Sequence, residues 1–478
     1  MKKSLLLIVT CFILQGNKAQ FYQAVHGSNF AGSLGMLNNP ASALASPTPW
    51  DITIFGIQAR NSTNLFYLEK YGPGKSSEEL LPFIKNGDFK KRLNAAINLN
   101  LVNARVKLSN HISVGMGLNF RSGNRIKTST YNFQDSISEA NSFLHINISN
   151  QPLQALVLSS SWMEPYGSMA FKIAESKNFI LTAGISAKVT KGLFGLTTKL
   201  DNAFYESILP GIPVYQPTDI ELQYGYSRNA DEWDPSKSLL SNMKNYLGKS
   251  EGGGSFDFGV EWIVKDRKNI ELFEERTQYN YTWKIGVSLL DLGYAKYKYG
   301  LLSRNASGIK LSFSGKSLFD KFDSTVNTLA TFNDSLKTVV AQFSSRVGIY
   351  KVSNATRLVF NVDRTVSDLF NINAEFNLPL SIIPTDKDLQ LQTLPSITIT
   401  PRIEGRKYGA YLPLTINGDG YFWMGAAFKA GPLLIGMHDV LPFLQKTPYP
   451  NGGGYLAYVI SPSEKLKKAK AKDVKCPD

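Results

Sequence analysis

The chain has 478 residues, 43% of them hydrophobic and 12% aromatic, with 38 glycines, two cysteines and a formal net charge of +14. That is enough apolar residue to build a large structure, but two cysteines exclude a disulfide-stapled scaffold. Past the first 20 residues no stretch approaches the roughly 18 consecutive apolar residues of a membrane-crossing helix, so any crossing must be made by strands.

The opening "MKKSLLLIVTCFILQGNKAQ" places Lys2 and Lys3 before an apolar run from Leu5 to Leu14 and a small residue, Ala19, where a peptidase would cut. Residues 1–19 read as a cleaved export signal. Their removal takes away Lys2, Lys3 and Lys18 and no acid, lowering the net charge by three. Cys11 lies inside the apolar run without the small residues that precede a lipidated cysteine, and Cys476 is then the one cysteine of the mature chain.

From residue 51 the chain alternates with period two. In "VNARVKLSNHISVGMGLNFR" Val102, Ala104, Val106 and Leu108 share one face against Asn103, Arg105 and Lys107. After the turn at Ser109-Asn110, Ile112, Val114, Met116, Leu118 and Phe120 do the same. The pattern recurs at 169–189, in Phe256, Phe258, Val260, Trp262 and Val264, in Tyr281, Trp283, Ile285, Val287 and Leu289, and in Phe370 to Leu378. Each run is about ten residues long, the span of a tilted transmembrane strand. The opposite face carries lysine, glutamate, asparagine and glycine, which suits a wet lumen better than the solvent side of a soluble sandwich.

Fourteen strands follow: near 51–61, 96–108, 112–121, 165–174, 179–190, 255–265, 280–289, 355–364, 369–378, 396–404, 408–416, 420–429, 433–440 and 453–460. Short connections (109–111, 175–178, 365–368, 405–407, 430–432) and the longer 266–279 fall at one end. The long ones (62–95, 122–164, 191–254, 290–354) fall at the other, as in bacterial barrels with short periplasmic turns. "DIELQYGYS" and "RNASGIKLSF" also look strand-like; if both span, the count is sixteen. The expected fold is therefore an all-β, transmembrane antiparallel barrel over residues 51–460, with a segment at 20–50 and a basic tail at 461–478, in the cell outer membrane.

"GSNFAGSLGMLNNPASALA" before the first strand, followed by "VKLSNHISVGMGLNF", resembles the N-terminal hatch and early strands of the long-chain fatty-acid transporter superfamily of outer-membrane barrels. "GGGSFDFGVEW" and "WKIGVSLLDLGYAKY" are similar to a related, poorly characterised group of barrels, some attached to secretion machinery. The resemblance implies a fourteen-stranded barrel closed by an N-terminal luminal plug containing Asn38, Asn39, Pro40 and Ala41. The residues suit that place: Asn39 can cap a helix, Pro40 fits its first turn, and Pro47 and Pro49 stop it before Trp50. A plain leader ordered against the barrel base is the alternative; only movement on ligand binding would make the segment a gate.

Catalytic or metal chemistry is not legible. His26, His111, His145 and His438 show no metal-ligand spacing, nothing pairs His438 with a nucleophilic serine, and "GPGKSS" at 72–77 lacks the first glycine of a phosphate loop, having Glu69 there. No cofactor, no enzymatic activity and no nucleic-acid partner are expected. The glycine triplets at 252–254 and 452–454 each open a strand, where they allow a bend.

Two loops contain amphipathic stretches. "SLLSNMKNYLGK" aligns Leu240, Met243 and Leu247; "FDKFDSTVNTLATFNDSLK" aligns Phe322, Val326, Leu329 and Asn333. These are expected either to pack on the barrel rim or to receive a greasy ligand. The lysine-rich tail is a solvated end or a contact for a periplasmic or secretion-system partner. The functional expectation is passive transport of a hydrophobic or amphipathic small molecule by a barrel sitting in outer-membrane lipid, with a continuous tunnel as its signature. A non-transporting scaffold for a surface or secretion complex would instead have a filled lumen.

Overall fold

The computed structural model describes residues 22–68, 82–137, 140–150, 152–209, 212–265, 281–310, 321–322, 325–383, 386–445 and 451–462. The export signal, the "GPGKSS" stretch, Cys476 and nearly all of the basic tail lie outside them.

Fourteen strands form one closed antiparallel wall. In chain order they are β1 (Trp50–Thr63), β2 (Gly87–Lys107), β3 (Ile112–Phe133), β4 (Leu153–Glu175), β5 (Phe179–Leu209), β6 (Gly252–Lys265) and β7 (Tyr281–Lys298). Then come β8 (Ile349–Ser353 with Arg357–Thr365), β9 (Phe370–Pro379), β10 (Ser396–Glu404), β11 (Tyr408–Tyr411 with Leu414–Asn417), β12 (Phe422–Met424 with Ala426–Ala430), β13 (Leu433–Met437) and β14 (Gly452–Ile460). Each pairs with its sequence neighbour, and β14 returns to β1 in a seam from Ile52↔Ile460 to Asn61↔Gly452. Closure removes the exposed edges that an open sheet would leave.

The wall is inside out relative to a soluble protein. Along β6, Phe256, Phe258, Val260 and Trp262 are 42–47% exposed on the outer surface, while Ser255, Asp257 and Glu261 are buried inside. Phe179 stands edge-on to Trp262 on that outer surface, and Trp283 is exposed beside them. β1 repeats the pattern, with Ile52, Ile54 and Ile57 outside and Asp51, Thr53, Gln58 and Arg60 inside. An apolar exterior around a polar interior is the arrangement that satisfies every strand in hydrocarbon. Among the described residues no helix is long and apolar enough to cross a membrane.

The β1–β2, β3–β4, β5–β6 and β7–β8 connections leave one end, here the long-loop end; the tight turns at 108–111, 176–178, 366–369, 405–407 and 431–432, with the longer β6–β7 connection, lie at the other. The strand count is settled at fourteen. Ile212–Tyr226 and Arg304–Ile309, the two extra strand-like stretches, are strands but do not span. They pair with each other, with the outer half of β5 and with Val340–Ser345, forming a sheet that stands on the rim.

Several spanning strands are longer than their sequence pattern. β2, β3 and β4 run for 21 to 23 residues and β5 for 31, far beyond what a bilayer needs. In their upper ends, such as "IKTSTYNF" of β3, both faces are partly exposed, so the alternation that marks the lower parts is lost.

Candidate luminal site

The interior is organised around an irregularity in β7. Below it, Lys284, Gly286 and Ser288 face the lumen; above it, Gly293, Ala295 and Tyr297 do, so the inward phase changes from even to odd. The change occurs at a bulge, where the register with β6 jumps from Leu289↔Phe258 to Leu292↔Phe256 and Leu290 and Asp291 are both buried. Asp291 has φ 60°, a left-handed conformation that aspartate tolerates better than most residues. Its amide donates to Asp257 Oδ1 at 2.7 Å, and its carbonyl accepts from Thr356 Oγ1 at 2.9 Å.

The bulge aims the Asp291 carboxylate at three cations. Arg121 donates to both oxygens at 2.6 and 3.0 Å, Lys188 to Oδ1 at 2.8 Å, and Arg357 lies 3.7 Å away. Lys188 also pairs with Asp257 at 2.7 Å, and Arg121 with Glu164 at 3.4 Å. Trp162 Nε1 donates to Glu164 at 2.9 Å. These three acids and three bases, all nearly inaccessible, neutralise one another, as buried charges must. They fill the middle of the lumen.

On the short-turn side of this layer runs the N-terminal segment, residues 22–46, which is almost wholly buried inside the wall. Asn39 caps the 3-10 turn Pro40–Leu44 by accepting from the Ala41 amide at 3.0 Å, with Pro40 in the first position, as the sequence leads one to expect. His26 Nδ1 lies 2.7 Å from Glu375, which also accepts from Asn38 Nδ2 at 3.1 Å. Ser28 donates to Glu404 at 2.6 Å, Lys284 to Asn29 at 2.7 Å, and Ser288 to the Asn38 carbonyl at 2.7 Å. Tyr22 donates to Asn100 at 2.5 Å, and burial raises its phenol above the ordinary tyrosine range, so it stays a donor.

Small residues in the wall make room for this segment. A Cβ on Gly184 would stand 2.4 Å from the Ala41 amide nitrogen and from the Pro40 carbonyl carbon; one on Gly259 would stand 2.0 Å from Asn39 Oδ1. The glycines of β5 and β6 are therefore contact positions for Asn39-Pro40-Ala41.

On the long-loop side the lining becomes apolar. Leu158, Trp162, Ala295, Tyr297, Tyr350, Val352 and Leu391 form one buried cluster. Leu391 belongs to the connection between β9 and β10, which folds inward. Arg125 donates to the carbonyls of Lys387 and Gln390 at 3.1 and 3.0 Å, Asp388 pairs with Lys199 at 3.0 Å, and the Leu391 amide donates to the Ser353 carbonyl at 3.1 Å. Leu391 Cδ1 lies 2.7 Å from where a Cβ of Gly123 would stand. Under this loop a cavity of about 20 Å³ is lined by Trp162, Ala355, Leu391, Asn98 and Arg121. A second of about 20 Å³ lies among His26, Asn38, Asn39 and Glu261, and one of about 60 Å³ lies at the short-turn mouth beside Phe30 and Lys429. The two inner ones have room for about one water each.

The loop candidates fall in two places. Leu240 and Met243 lie on the helix Leu239–Gly248 and are 79% and 47% exposed, with Leu247 half-buried. The second stretch requires a correction. Its helix runs only over Leu329–Val339, because Thr328 and Thr331 make a capping box that starts it there. Phe322 and Val326 precede the helix rather than share its face, and Leu329 is its first residue. Phe322 still packs on Phe332 with ring centroids 5.4 Å apart, and Leu336 packs with Tyr224, Ala306 and Val340 of the rim sheet. The two groups are not brought together.

The sequence reading missed Asp291 and its partners. A signal was present: "SLLDLGYAKY" breaks the alternation of β7 by placing Leu290 and Asp291 between Leu289 and Leu292, as a bulge requires.

Solved structures similar to the chain include the toluene transporter TbuX of Ralstonia pickettii (8% identity, 90% of this chain and 94% of that one, TM-score 0.40) and a FadL homologue of Pseudomonas aeruginosa (10%, 93% and 97%, 0.38). The toluene transporter TodX of Pseudomonas putida is a third (9%, 93% and 95%, 0.32). No curated protein matches the sequence. One family model does, over residues 40–438, from the capped turn at Pro40 to the end of β13, and the chain accordingly belongs to that family of unknown function, DUF5723.

Proposed function

We propose that this barrel sits in the outer membrane after signal-peptide cleavage and carries a hydrophobic or amphipathic small molecule inward, and that the structure is its closed state. The observation behind this reading is the apolar and aromatic layer of Trp162, Tyr297, Tyr350, Val352 and Leu391 inside an otherwise polar lumen. A barrel that served only as an anchor has no need of such a layer, whereas an apolar ligand needs one. Leu391 occupies the space a ligand would take, and the Asp291 layer with Asn38, Asn39, Pro40 and Ala41 closes the path beyond it. On this reading the N-terminal segment is the plug. The exposed apolar residues Leu240 and Met243 offer a first contact, with Leu247 beside them; Phe322 and Leu329 are weaker candidates because they pack on the rim, and Val326 because it precedes the helix rather than sharing its face. The basic tail is a candidate contact for a periplasmic partner.

A second reading is favoured by the filled centre of the lumen: a closed scaffold barrel. The two are separated by uptake into proteoliposomes of two apolar probes, a monoaromatic hydrocarbon and a long-chain fatty acid. Transport predicts uptake above protein-free vesicles and several-fold slower uptake for Trp162→Ala. No uptake and no saturable probe binding by the folded barrel would leave the scaffold.

A further inference from the structure

The outer surface near the long-loop end carries a group of lysines on β5, β7 and β8. Above the bulge, β7 turns Tyr294, Lys296 and Lys298 outward, since Ala295 and Tyr297 face the lumen. On β8, Tyr350 and Val352 face inward and Lys351 outward. The register sets Lys296 directly opposite Lys351. Both ammonium groups lie over the ring of Tyr294, at 5.7 and 5.1 Å from its centroid. β5 adds a fourth cation: Lys191 follows the outward Val189, and its neighbour Gly192 lies so close to β7 that a Cβ there would stand 2.4 Å from the Lys296 carbonyl.

Like charges directly across a strand pair destabilise it, and the face of one tyrosine offsets little of that. Among the described residues none of these four lysines has a carboxylate within ion-pair distance. Other lysines on the wall do: Lys172 and Lys265 share Glu175 at 2.6 and 2.7 Å, and Lys199 pairs with Asp201 and Asp388. The group also stands at a particular height. Just below it on the same surface are Val189 and Phe256, at 63% and 47% exposed, so it marks the upper border of the apolar band, where a bilayer places its headgroups and where tyrosines gather.

We propose that Lys191, Lys296, Lys298 and Lys351, with Tyr294, form a binding site for the phosphate groups of a lipid in the leaflet at the long-loop end. Clustered cations beside hydrocarbon bind phosphorylated headgroups while the acyl chains lie along the wall below. The site rests on the barrel spanning a bilayer and is independent of what, if anything, passes through the lumen.

The test uses purified full-length protein in neutral detergent, titrated with diphosphorylated lipid A and with the same glycolipid stripped of phosphate, and read by native mass spectrometry and the thermal-unfolding midpoint. Wild type should retain and be stabilised by the phosphorylated lipid only. Lys296→Gln with Lys351→Gln should bind it about tenfold more weakly, while Lys172→Gln with Lys265→Gln at the far end binds as wild type. Without lipid the Lys296/Lys351 variant should unfold no earlier than wild type, since it loses a repulsion; this verifies its fold. Equal affinity of the variant and wild type, or equal binding of both glycolipids, overturns the proposal. Displacement of the lipid by millimolar inorganic phosphate overturns the lipid assignment in favour of a free anion.

Discussion

Arg121 and Asp291, 170 residues apart in sequence, meet in the lumen through two hydrogen bonds of 2.6 and 3.0 Å. The contact joins β3 to β7 across the interior rather than along the wall. Asp291 is the shared anion of Arg121, Lys188 and Arg357, so Asp291→Asn should leave excess buried positive charge while keeping the left-handed backbone that asparagine also accepts. The expected loss is about 3 kcal/mol or more, measured as a lower urea midpoint for unfolding of the folded barrel band in lipid or detergent.

The N-terminal segment can be displaced without touching any charge. Gly184→Val and Gly259→Val would drive a side chain into Pro40-Ala41 and Asn39 respectively. Each variant should keep the closed barrel, seen as the same folded gel mobility, yet show greater protease access to residues 22–46 and higher single-channel conductance in a planar bilayer. Unchanged conductance with demonstrable displacement would mean that the segment does not control the path.

Local order of the same segment depends on the Asn39 cap. Asn39→Ala should destabilise the Pro40–Leu44 turn by about 1 kcal/mol, raising hydrogen exchange of the Ala41 and Ser42 amides, whereas Asn39→Asp should keep the cap.

If Leu240 and Met243 receive ligand, Leu240→Asp with Met243→Asp should slow uptake of an apolar probe several-fold and leave the unfolding midpoint unchanged, because both side chains are exposed. Parallel tests of Phe322→Asp should instead lower stability of the rim, since Phe322 packs on Phe332.

Much of the wall was legible because alternation records which face meets hydrocarbon: Phe256, Phe258 and Trp262 announce β6, and Asp257, Gly259 and Glu261 announce its lumen. The capped turn at Asn39-Pro40 was equally local. The upper ends of β2, β3 and β5 were not, because with both faces partly wet nothing forces a period. The luminal ion layer was hidden for a different reason. Glu164, Lys188 and Arg357 look like ordinary inward polar residues until the topology brings β4, β5 and β8 together around Asp291. The rim helix at Leu329 shows how a capping box can overrule a hydrophobic repeat extending to Phe322.

The β1–β14 seam fixes how the molecule must be assembled. Strands from the two extremes of the wall complete the ring, so no partial set of strands is a finished unit, and the pairing that closes it carries a high loop-closure cost. Residues 22–46 precede β1 in sequence yet end up encircled by β5, β6 and β9. They fill the hollow that the seam encloses, which makes them cargo of the folding reaction as well as contents of the folded state.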